Sequence, residues 1–185
     1  MQELRTAPKG FTIETWQQFF TDGILIIKGA LAENHAEKLN QMIQSYEAGE
    51  EFKQGGQKNN IVELHPEFRK LINWDAHIGH VYDVYGESLK LLQSQFFIRP
   101  PRQILRNEWH FDGPRLVPFE AFGVKVPLRI KVGYWLTDLP EDKMGNLIYI
   151  KGSHKTPYLE QYKTHAPHPL QESLKIKKGD MILMA

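Results

Sequence analysis

The first half of the chain carries apolar residues at the spacing of amphipathic helices. Thr12 is a suitable N-cap for a first helix, and Gly23 suits the left-handed conformation that ends one. Apolar side chains recur every three or four residues between them, over the stretch from about Glu33 to Ala48, and again after Pro66. This spacing predicts a helical N-terminal part that covers about residues 1–86.

Five other apolar segments have the composition or the alternation of β-strands. They are Ile24–Ile27, Leu89–Ile98, Leu128–Thr137, Leu147–Ile150 and Met181–Ala185. Since all but the first follow the helical part, strands are expected over about residues 87–185. Helices followed by many strands with long connections are typical of an α+β fold, here mainly β with flanking α-helices and a jelly-roll or barrel core.

Three segments between these elements are predicted to be loops. Gly49–Asn60 is polar and bears glycine, and Thr156–Gln171 is rich in proline and histidine. Gly113–Pro127 holds three prolines and two glycines besides Phe119 and Phe122. Because long loops within compact domains are often functional, this last segment is a candidate substrate lid.

Length and composition are those of an ordinary single domain. The chain has 185 residues, of which 41% are hydrophobic and 24% charged, and this length suffices to bury a core. A net charge of +1 gives no indication of nucleic acid or of an anionic membrane surface as a partner. The absence of cysteine excludes disulfides and thiolate chemistry, and no apolar run reaches transmembrane length. We therefore expect one cytoplasmic domain over residues 1–185, in an oligomeric state that the sequence does not indicate.

One short segment combines residue types that bind metal ions. In Trp109–Gly113, a His-x-Asp tripeptide lies between two aromatic residues and is followed by glycine. If the segment is a strand, side chains two positions apart point the same way, so the imidazole of His110 and the carboxylate of Asp112 converge. Two histidines and one carboxylate, with open positions for other ligands, form the facial triad of non-haem Fe(II) oxygenases.

The tripeptide alone is weak evidence, because eight histidines and seven aspartates in this length give about 0.3 such tripeptides by chance. Two similar tripeptides, His35-Ala36-Glu37 and His65-Pro66-Glu67, are less suitable. Helical spacing separates the side chains of the first, and the proline of the second suits the start of a helix. Of the three tripeptides, only the one with His110 and Asp112 lies in a strand-like setting.

Two further histidine pairs have a spacing of three residues. His77 and His80 fall near a predicted helix, and His165 and His168 fall in a predicted loop. The first pair has no carboxylate or cysteine at the offset of a known metal site. We interpret the first pair as solvated or capping residues and the second as loop polarity.

Three segments together resemble the phytanoyl-CoA dioxygenase family of Fe(II)- and 2-oxoglutarate-dependent oxygenases. They are Phe11–Leu31, Trp109–Gly113 and Val132–Lys155. The third is the most specific, because it places a strand, an acidic turn, Gly145-Asn146-Leu147 and the turn Gly152-Ser153-His154 in the order and spacing of the family. The resemblance covers nearly the whole chain.

The resemblance implies a double-stranded β-helix, the cupin-type jelly roll, flanked by N-terminal helices. It implies that His110 and Asp112 bind Fe(II) and that Tyr134 lies beside the co-substrate 2-oxoglutarate, although a plain core tyrosine is an equally good interpretation of Tyr134. His154 is assigned to the turn and not to the metal. The implied reaction is oxidative decarboxylation of 2-oxoglutarate coupled to hydroxylation of a small organic molecule.

Two residues of the family pattern have no counterpart here. In the family, a distal histidine ligand follows the strand that Gly179 and Asp180 begin, and an arginine beyond it binds the distal carboxylate of 2-oxoglutarate. Both positions fall after Ala185. Because the chain also stops within an apolar strand, we expect an N-terminal portion of a longer oxygenase, with an incomplete jelly roll and no activity of its own.

Two other functions remain open. The chain is alternatively a non-catalytic jelly-roll binding module, in which His110 and Asp112 only form hydrogen bonds, or a cupin-type metalloenzyme that does not use 2-oxoglutarate. Arg102 and Arg115 are candidates for binding an anionic substrate, and ordinary exposed arginines are the alternative. Hydrolase, kinase and dehydrogenase functions find no support, because the Gly-x-Ser-x-Gly, phosphate-loop and dinucleotide motifs are absent. Nothing in the sequence specifies the substrate.

Overall fold

The computed structural model describes residues 8–47, 55–99, 109–112, 127–157 and 164–185. The helices of these ranges are α1 (Ile13–Asp22), α2 (Glu33–Glu47), α3 (Ile61–Leu64), α4 (Pro66–Lys70) and α5 (Asp75–Tyr85). The strands are β1 (Ile24–Ile27), β2 (Gly56–Asn59), β3 (Gln95–Ile98), β4 (Lys131–Tyr134), β5 (Ile148–Ile150), β6 (Gln171–Ser173) and β7 (Met181–Met184). In the same ranges, no helix combines the length and the apolar character that crossing a bilayer requires.

Local signals at both ends of α1 explain why it begins and ends where the sequence predicts. The Thr12 hydroxyl accepts a hydrogen bond from the Thr15 N–H at 3.2 Å, and the Thr12 N–H donates to the Thr15 hydroxyl at 2.9 Å. Gly23 ends the helix with φ of 74°, and its N–H donates to the Phe19 carbonyl at 2.8 Å. The predicted Thr12 cap and Gly23 stop are confirmed.

A three-stranded antiparallel sheet with the order β1-β7-β4 forms the centre of the fold. Its middle strand is the apolar run that begins at Met181. Leu183 is paired with Leu25 on one side and with Val132 on the other. Met181 and Leu183 on one face and Ile182 on the other keep at most 1% of their surface exposed, as expected of a strand that is covered on both faces. The predicted strand at the end of the chain is confirmed.

The two faces of this sheet pack against different layers. One face meets the helical layer through Phe19 of α1, and its sheet residues are Leu25, Val132, Met181 and Leu183. The other face meets the two-stranded antiparallel sheet of β5 and β6. The residues that pack together there are Ile24, Trp135, Leu147, Tyr149, Leu174, Ile176 and Ile182. The described residues therefore form helices, a central sheet and a smaller second sheet, in that order.

A second pair of strands corrects the prediction for Gly49–Asn60. Instead of a loop, Gly56–Asn59 forms β2, which is paired with β3 in antiparallel register from Gly56↔Ile98 to Asn59↔Gln95. The sequence Gly-Gln-Lys-Asn has no apolar alternation, and its extended state follows from pairing with a strand nearly forty residues away. Phe96 and Ile98 of that partner are buried against α2 and α4. The residues before Gly55 in the predicted loop lie outside the described residues.

The remaining predicted strands exist but are shorter than the apolar patterns indicate. β3 begins at Gln95 and not at Leu89, β4 covers only the middle of Leu128–Thr137, and β5 begins at Ile148. The combination of helices with antiparallel sheets agrees with the predicted α+β class. The double-stranded β-helix is a finer statement and stays a prediction.

Candidate metal centre

The segment 109–112 forms no regular strand, contrary to its predicted setting. The Trp109 N–H donates to the Thr164 carbonyl at 3.1 Å, and the indole N–H of Trp109 donates to the Ala166 carbonyl at 2.9 Å. These bonds hold the segment beside residues 164–166 without forming a regular ladder. An extended chain still directs alternate side chains to the same side, so the geometric part of the prediction does not need a strand.

The side chains of His110 and Asp112 do converge. Nε2 of His110 lies 3.4 Å from Oδ1 of Asp112, and the side chains keep 48% and 36% of their surface exposed. The hydrogen bond from His110, and after it the one from Lys131, holds the pKa of the Asp112 carboxyl far below its usual range, against the opposing effect of burial. At neutral pH the pair therefore presents a carboxylate beside an imidazole nitrogen.

Lys131 completes this cluster from a different element. Its Nζ forms an ion pair with Oδ2 of Asp112, whereas His110 Nε2 lies 3.4 Å from Oδ1. Lys131 is the first residue of β4 and is paired with Met184 of β7. The sequence shows Lys131 at an alternating position, but nothing in the pattern indicates which side of the strand meets His110 and Asp112. Lys131 is thus a site residue that sequence reasoning missed.

Tyr134 lies on the opposite face of β4 from Lys131, because side chains alternate along a strand. It packs in the helical layer, and its hydroxyl is 2.6 Å from Nδ1 of His77 on α5. Nε2 of the same ring lies 3.2 Å from the Ile72 carbonyl, which accepts only, so Nε2 carries the proton and Nδ1 accepts from Tyr134. The structure therefore does not bring Tyr134 to His110 and Asp112. Its place beside 2-oxoglutarate stays a prediction.

The interpretation of His77 and His80 as solvated or capping residues is wrong. They keep only 6% and 9% of their surface exposed, inside the face of α5 that meets the sheet and the N-terminal segment. Burial lowers the pKa of His77 to about 4, and burial also lowers the pKa of His80. The ring of Phe11 packs edge-on against His80 at 4.7 Å between centroids. Tertiary contacts that no local pattern shows decide the burial of both residues.

The two rejected tripeptides contribute to one ion-pair cluster. Nε2 of His35 lies 3.8 Å from Oε2 of Glu67, whose other oxygen contacts the ammonium groups of Lys38 at 3.1 Å and Lys70 at 2.7 Å. Hydrogen bonds from Lys70 and Lys38 lower the pKa of Glu67 to about 2. Residues of both tripeptides therefore take part in this one ion-pair cluster.

The other histidines of the second half have structural partners. His154 lies in a 3-10 turn, Ser153–Lys155, and its Nε2 is 3.2 Å from the Phe20 carbonyl in the last turn of α1. His168 packs its ring against Trp109, with 6.2 Å between centroids, and its Nδ1 accepts from the Leu170 N–H at 3.1 Å. Because it contacts Trp109, His168 lies beside the segment that carries His110 and Asp112.

Within the ranges that the structure describes, no group of three or more His, Cys, Asp or Glu side chains is arranged to hold a metal ion. His110 and Asp112 are two potential ligands of different donor type that approach each other closely, which fits part of a facial triad. The candidate lid with Phe119 and Phe122, and the candidate anion-binding residues Arg102 and Arg115, lie outside the described residues.

Comparison with known proteins gives a fold and no family. No protein-family model matches the sequence, and no curated protein matches it. The fold is similar to that of HygX from Streptomyces hygroscopicus with nickel and 2-oxoglutarate bound, at a TM-score of 0.71 and 18% identity over 95% of this chain and 78% of that one. The iron-bound form of HygX gives a TM-score of 0.69 at 17% identity, over 95% of this chain and 77% of that one.

A second protein has the same fold. SnoK, a non-heme alpha-ketoglutarate-dependent carbocyclase from nogalamycin biosynthesis, matches with a TM-score of 0.64 at 18% identity, over 98% of this chain and 77% of that one. At these identities the similarity establishes a common fold. This chain therefore has the fold of HygX, which has been crystallised with nickel and 2-oxoglutarate and with iron, and of SnoK.

Proposed function

We propose that this chain belongs to the non-haem Fe(II)- and 2-oxoglutarate-dependent oxygenases and acts on a small organic molecule. The observation that carries the proposal is the 3.4 Å approach of His110 Nε2 to Asp112 Oδ1 in a chain with the fold of HygX and SnoK. The fold alone would leave the function open, since one fold serves many activities. The tripeptide alone would also leave it open, because chance produces it often.

The donor types of the pair fit the metal that the proposal requires. A neutral imidazole and a carboxylate are two of the three ligands in the facial triad of non-haem iron oxygenases. The lowered pKa of Asp112 keeps its carboxyl deprotonated, which metal binding requires. Both side chains are half-exposed, so an ion and its further ligands have access to them.

In the proposed reaction, iron and 2-oxoglutarate together supply the oxidising chemistry with molecular oxygen, and the protein contributes binding and orientation. His110 and Asp112 would hold the ion, each as a single ligand, on a segment that the Trp109 hydrogen bonds fix against residues 164–166. Orienting bonds of this kind are needed because a loosely held ligand weakens both metal affinity and activity.

The finer assignment is to the phytanoyl-CoA dioxygenase-like oxygenases with a double-stranded β-helix. It rests on the segments 109–113 and 132–155 of the sequence. The second segment contains β4, the turn at Gly145, β5 and the 3-10 turn with His154, in that order. We further propose that this chain supplies only His110 and Asp112 as protein ligands, so that the 185-residue chain by itself binds iron weakly and produces no product.

Anaerobic addition of 2-oxoglutarate to the chain loaded with Fe(II) tests the proposed function. A 2-oxo acid that chelates Fe(II) through its carboxylate and keto oxygens gives a charge-transfer absorption band, and we expect this band in the wild-type chain and its loss in His110→Ala. His65→Ala is the matched control, because His65 is an exposed histidine that also has an acidic residue, Glu67, two positions after it.

The same titration separates the alternatives. A non-catalytic binding module predicts no Fe(II) binding by either variant or wild type, and that result would contradict the proposal. A cupin-type metalloenzyme that does not use 2-oxoglutarate predicts Fe(II) binding without the band. Robust succinate production by the 185-residue chain would overturn the expectation that it is inactive alone while supporting the oxygenase class.

A further inference from the structure

Lys131 places a positive charge at the candidate metal centre. Its ammonium contacts Oδ2 of Asp112, and 41% of its side-chain surface remains exposed. Surface lysines commonly form ion pairs of little energetic consequence. This one differs in its partner, because Asp112 is a proposed metal ligand and its other oxygen already faces His110.

The position of Lys131 is determined by the sheet. β4 is aligned with β7 by the pairs Lys131↔Met184 and Gly133↔Ile182. Gly133 and Lys131 lie on the same face of β4, because they are two residues apart. A Cβ added at Gly133 would lie 3.3 Å from Ile182. Ile182 belongs to the core between the central sheet and the β5–β6 sheet. Lys131 therefore projects to the side of the second sheet, with its stem anchored on a paired strand.

The charges at the site balance only while no metal is bound. The Asp112 carboxylate carries one negative charge and Lys131 one positive charge, so the pair is neutral. A divalent cation that takes Asp112 competes with the ammonium for the same carboxylate and repels it at close range. The ammonium then lacks its partner, within reach of the ion, and a dianionic co-substrate at that ion would provide a new one.

We propose that Lys131 exchanges partners, pairing with Asp112 in the metal-free protein and with a carboxylate of 2-oxoglutarate once a divalent metal is bound. This inference rests on the proposed function. It assigns a cation for the co-substrate from within this chain. Lys131 acts by binding and positioning the co-substrate, and a point charge is sufficient for that role.

Isothermal titration of the 185-residue chain with Co(II), and then with 2-oxoglutarate at saturating Co(II), tests this exchange. In Lys131→Met we expect Co(II) to bind as tightly as in the wild type or up to about threefold more tightly, because a competing cation has been removed. We expect 2-oxoglutarate to bind about tenfold more weakly, as the loss of one charge-assisted contact would cause. Lys131→Arg should restore 2-oxoglutarate binding to within about threefold of the wild type.

Changes in opposite directions distinguish this role from a structural one. If Lys131 only supported the fold, Lys131→Met would weaken both ligands together, and that result would overturn the proposal. An unchanged dissociation constant for 2-oxoglutarate would overturn it as well. Lys175→Met is the matched control, because Lys175 forms a similarly exposed ion pair with Asp142 at 3.6 Å, away from the site.

A neighbouring cation provides the competing explanation. Arg129 lies two residues before Lys131, and its Nε is buried without a hydrogen-bond partner in the part of the chain that the structure describes. Loss of 2-oxoglutarate binding in Arg129→Met but not in Lys131→Met would assign the contact to Arg129 and refute the proposed exchange by Lys131. Failure of the wild-type chain to bind Co(II) would refute the proposed function itself, whereas normal Co(II) binding with no effect of Lys131→Met would refute only the exchange.

Discussion

The hydroxyl of Tyr134 lies 2.6 Å from Nδ1 of His77 and joins β4 to α5 through a buried hydrogen bond. The bond places a polar pair in the interface between the helical layer and the central sheet, where both rings are largely removed from water. A buried polar group is tolerated when its partner is present and becomes costly when the partner is lost. This relationship makes Tyr134 a structural residue that links two layers.

Removing only the hydroxyl should therefore destabilise the fold. In Tyr134→Phe, Nδ1 of His77 would keep its desolvation cost without a donor, and we expect the free energy of unfolding to fall by about 1–3 kcal/mol. Tyr82→Phe is the control, because Tyr82 lies on α5, the helix of His77, and keeps 43% of its surface exposed. Urea denaturation followed by circular dichroism measures both. Equal stability of the two variants would show that the bond carries no net stabilisation.

The buried neutral form of His77 predicts a loss of stability in mild acid. Its pKa is lowered to about 4 by burial, below the ordinary value near 6.5, so the unfolded chain binds a proton more readily than the folded one. The stability that neutral His77 contributes is complete above pH 6.5 and is lost as pH falls from 6.5 towards 4. The linked loss is roughly 3 kcal/mol, and His80, whose pKa is lowered as well, acts in the same direction.

Unfolding free energies between pH 8 and pH 4 measure this linkage. We expect the curve of His77→Gln to be flatter than that of the wild type between pH 6.5 and 4, whereas Leu92→Ala, a change at an exposed apolar residue, should leave the wild-type slope unchanged. Parallel curves for the wild type and His77→Gln would contradict the assignment.

Gly23 is expected to be intolerant of any side chain for two reasons. Its φ of 74° disfavours other residues, and a Cβ there would lie 2.3 Å from Nδ1 of His154. Gly29 has φ of 62° but no atom within 4 Å of an added Cβ, so Gly29→Ala measures the backbone cost alone. We expect Gly29→Ala to lose about 1–2 kcal/mol and Gly23→Ala to lose more. Thermal melts that give equal losses would show that the contact with His154 is easily relieved.

The carboxylate of Asp180 should stabilise the turn before β7. Oδ1 accepts from the Gly29 N–H at 2.9 Å and Oδ2 accepts from the Lys177 N–H at 3.1 Å, while only 8% of the residue is exposed. We expect Asp180→Ala to lower the free energy of unfolding by about 2–4 kcal/mol, because two backbone donors lose their acceptor. Asp142→Ala, which removes an exposed ion pair, should cost less than about 0.5 kcal/mol. Similar losses in the two variants would contradict this role.

Elements with local signals were predictable from the sequence. Thr12 and Gly23 delimit α1 through bonds within a few residues of themselves, and the apolar run at Met181 indicates a strand that is buried on both faces. β2 was not predictable, because Gly56–Asn59 has no pattern of its own and becomes a strand only through β3. Pairing between distant segments is invisible to a reading of local periodicity.

The site was predictable in part, for the same physical reason. His110 and Asp112 are two residues apart, so any extended conformation brings their side chains to one side, even though the predicted strand is not formed. Only tertiary structure brings Lys131 to the side chains of His110 and Asp112, so a local pattern does not show this contact. The same holds for the contact between His77 and Tyr134. The alternation in β4 correctly predicts that Lys131 and Tyr134 lie on opposite faces of the strand. Only the packing of the helices shows which of these faces Tyr134 occupies.

The central claim is that His110 and Asp112 together bind a divalent metal ion. The most direct measurement is the dissociation constant of Fe(II), determined anaerobically for the wild-type chain, His110→Ala and Asp112→Ala. We predict measurable binding to the wild type and at least roughly tenfold weaker binding to each variant, since each loses one of two ligands. Dissociation constants that are the same in all three proteins would contradict the account.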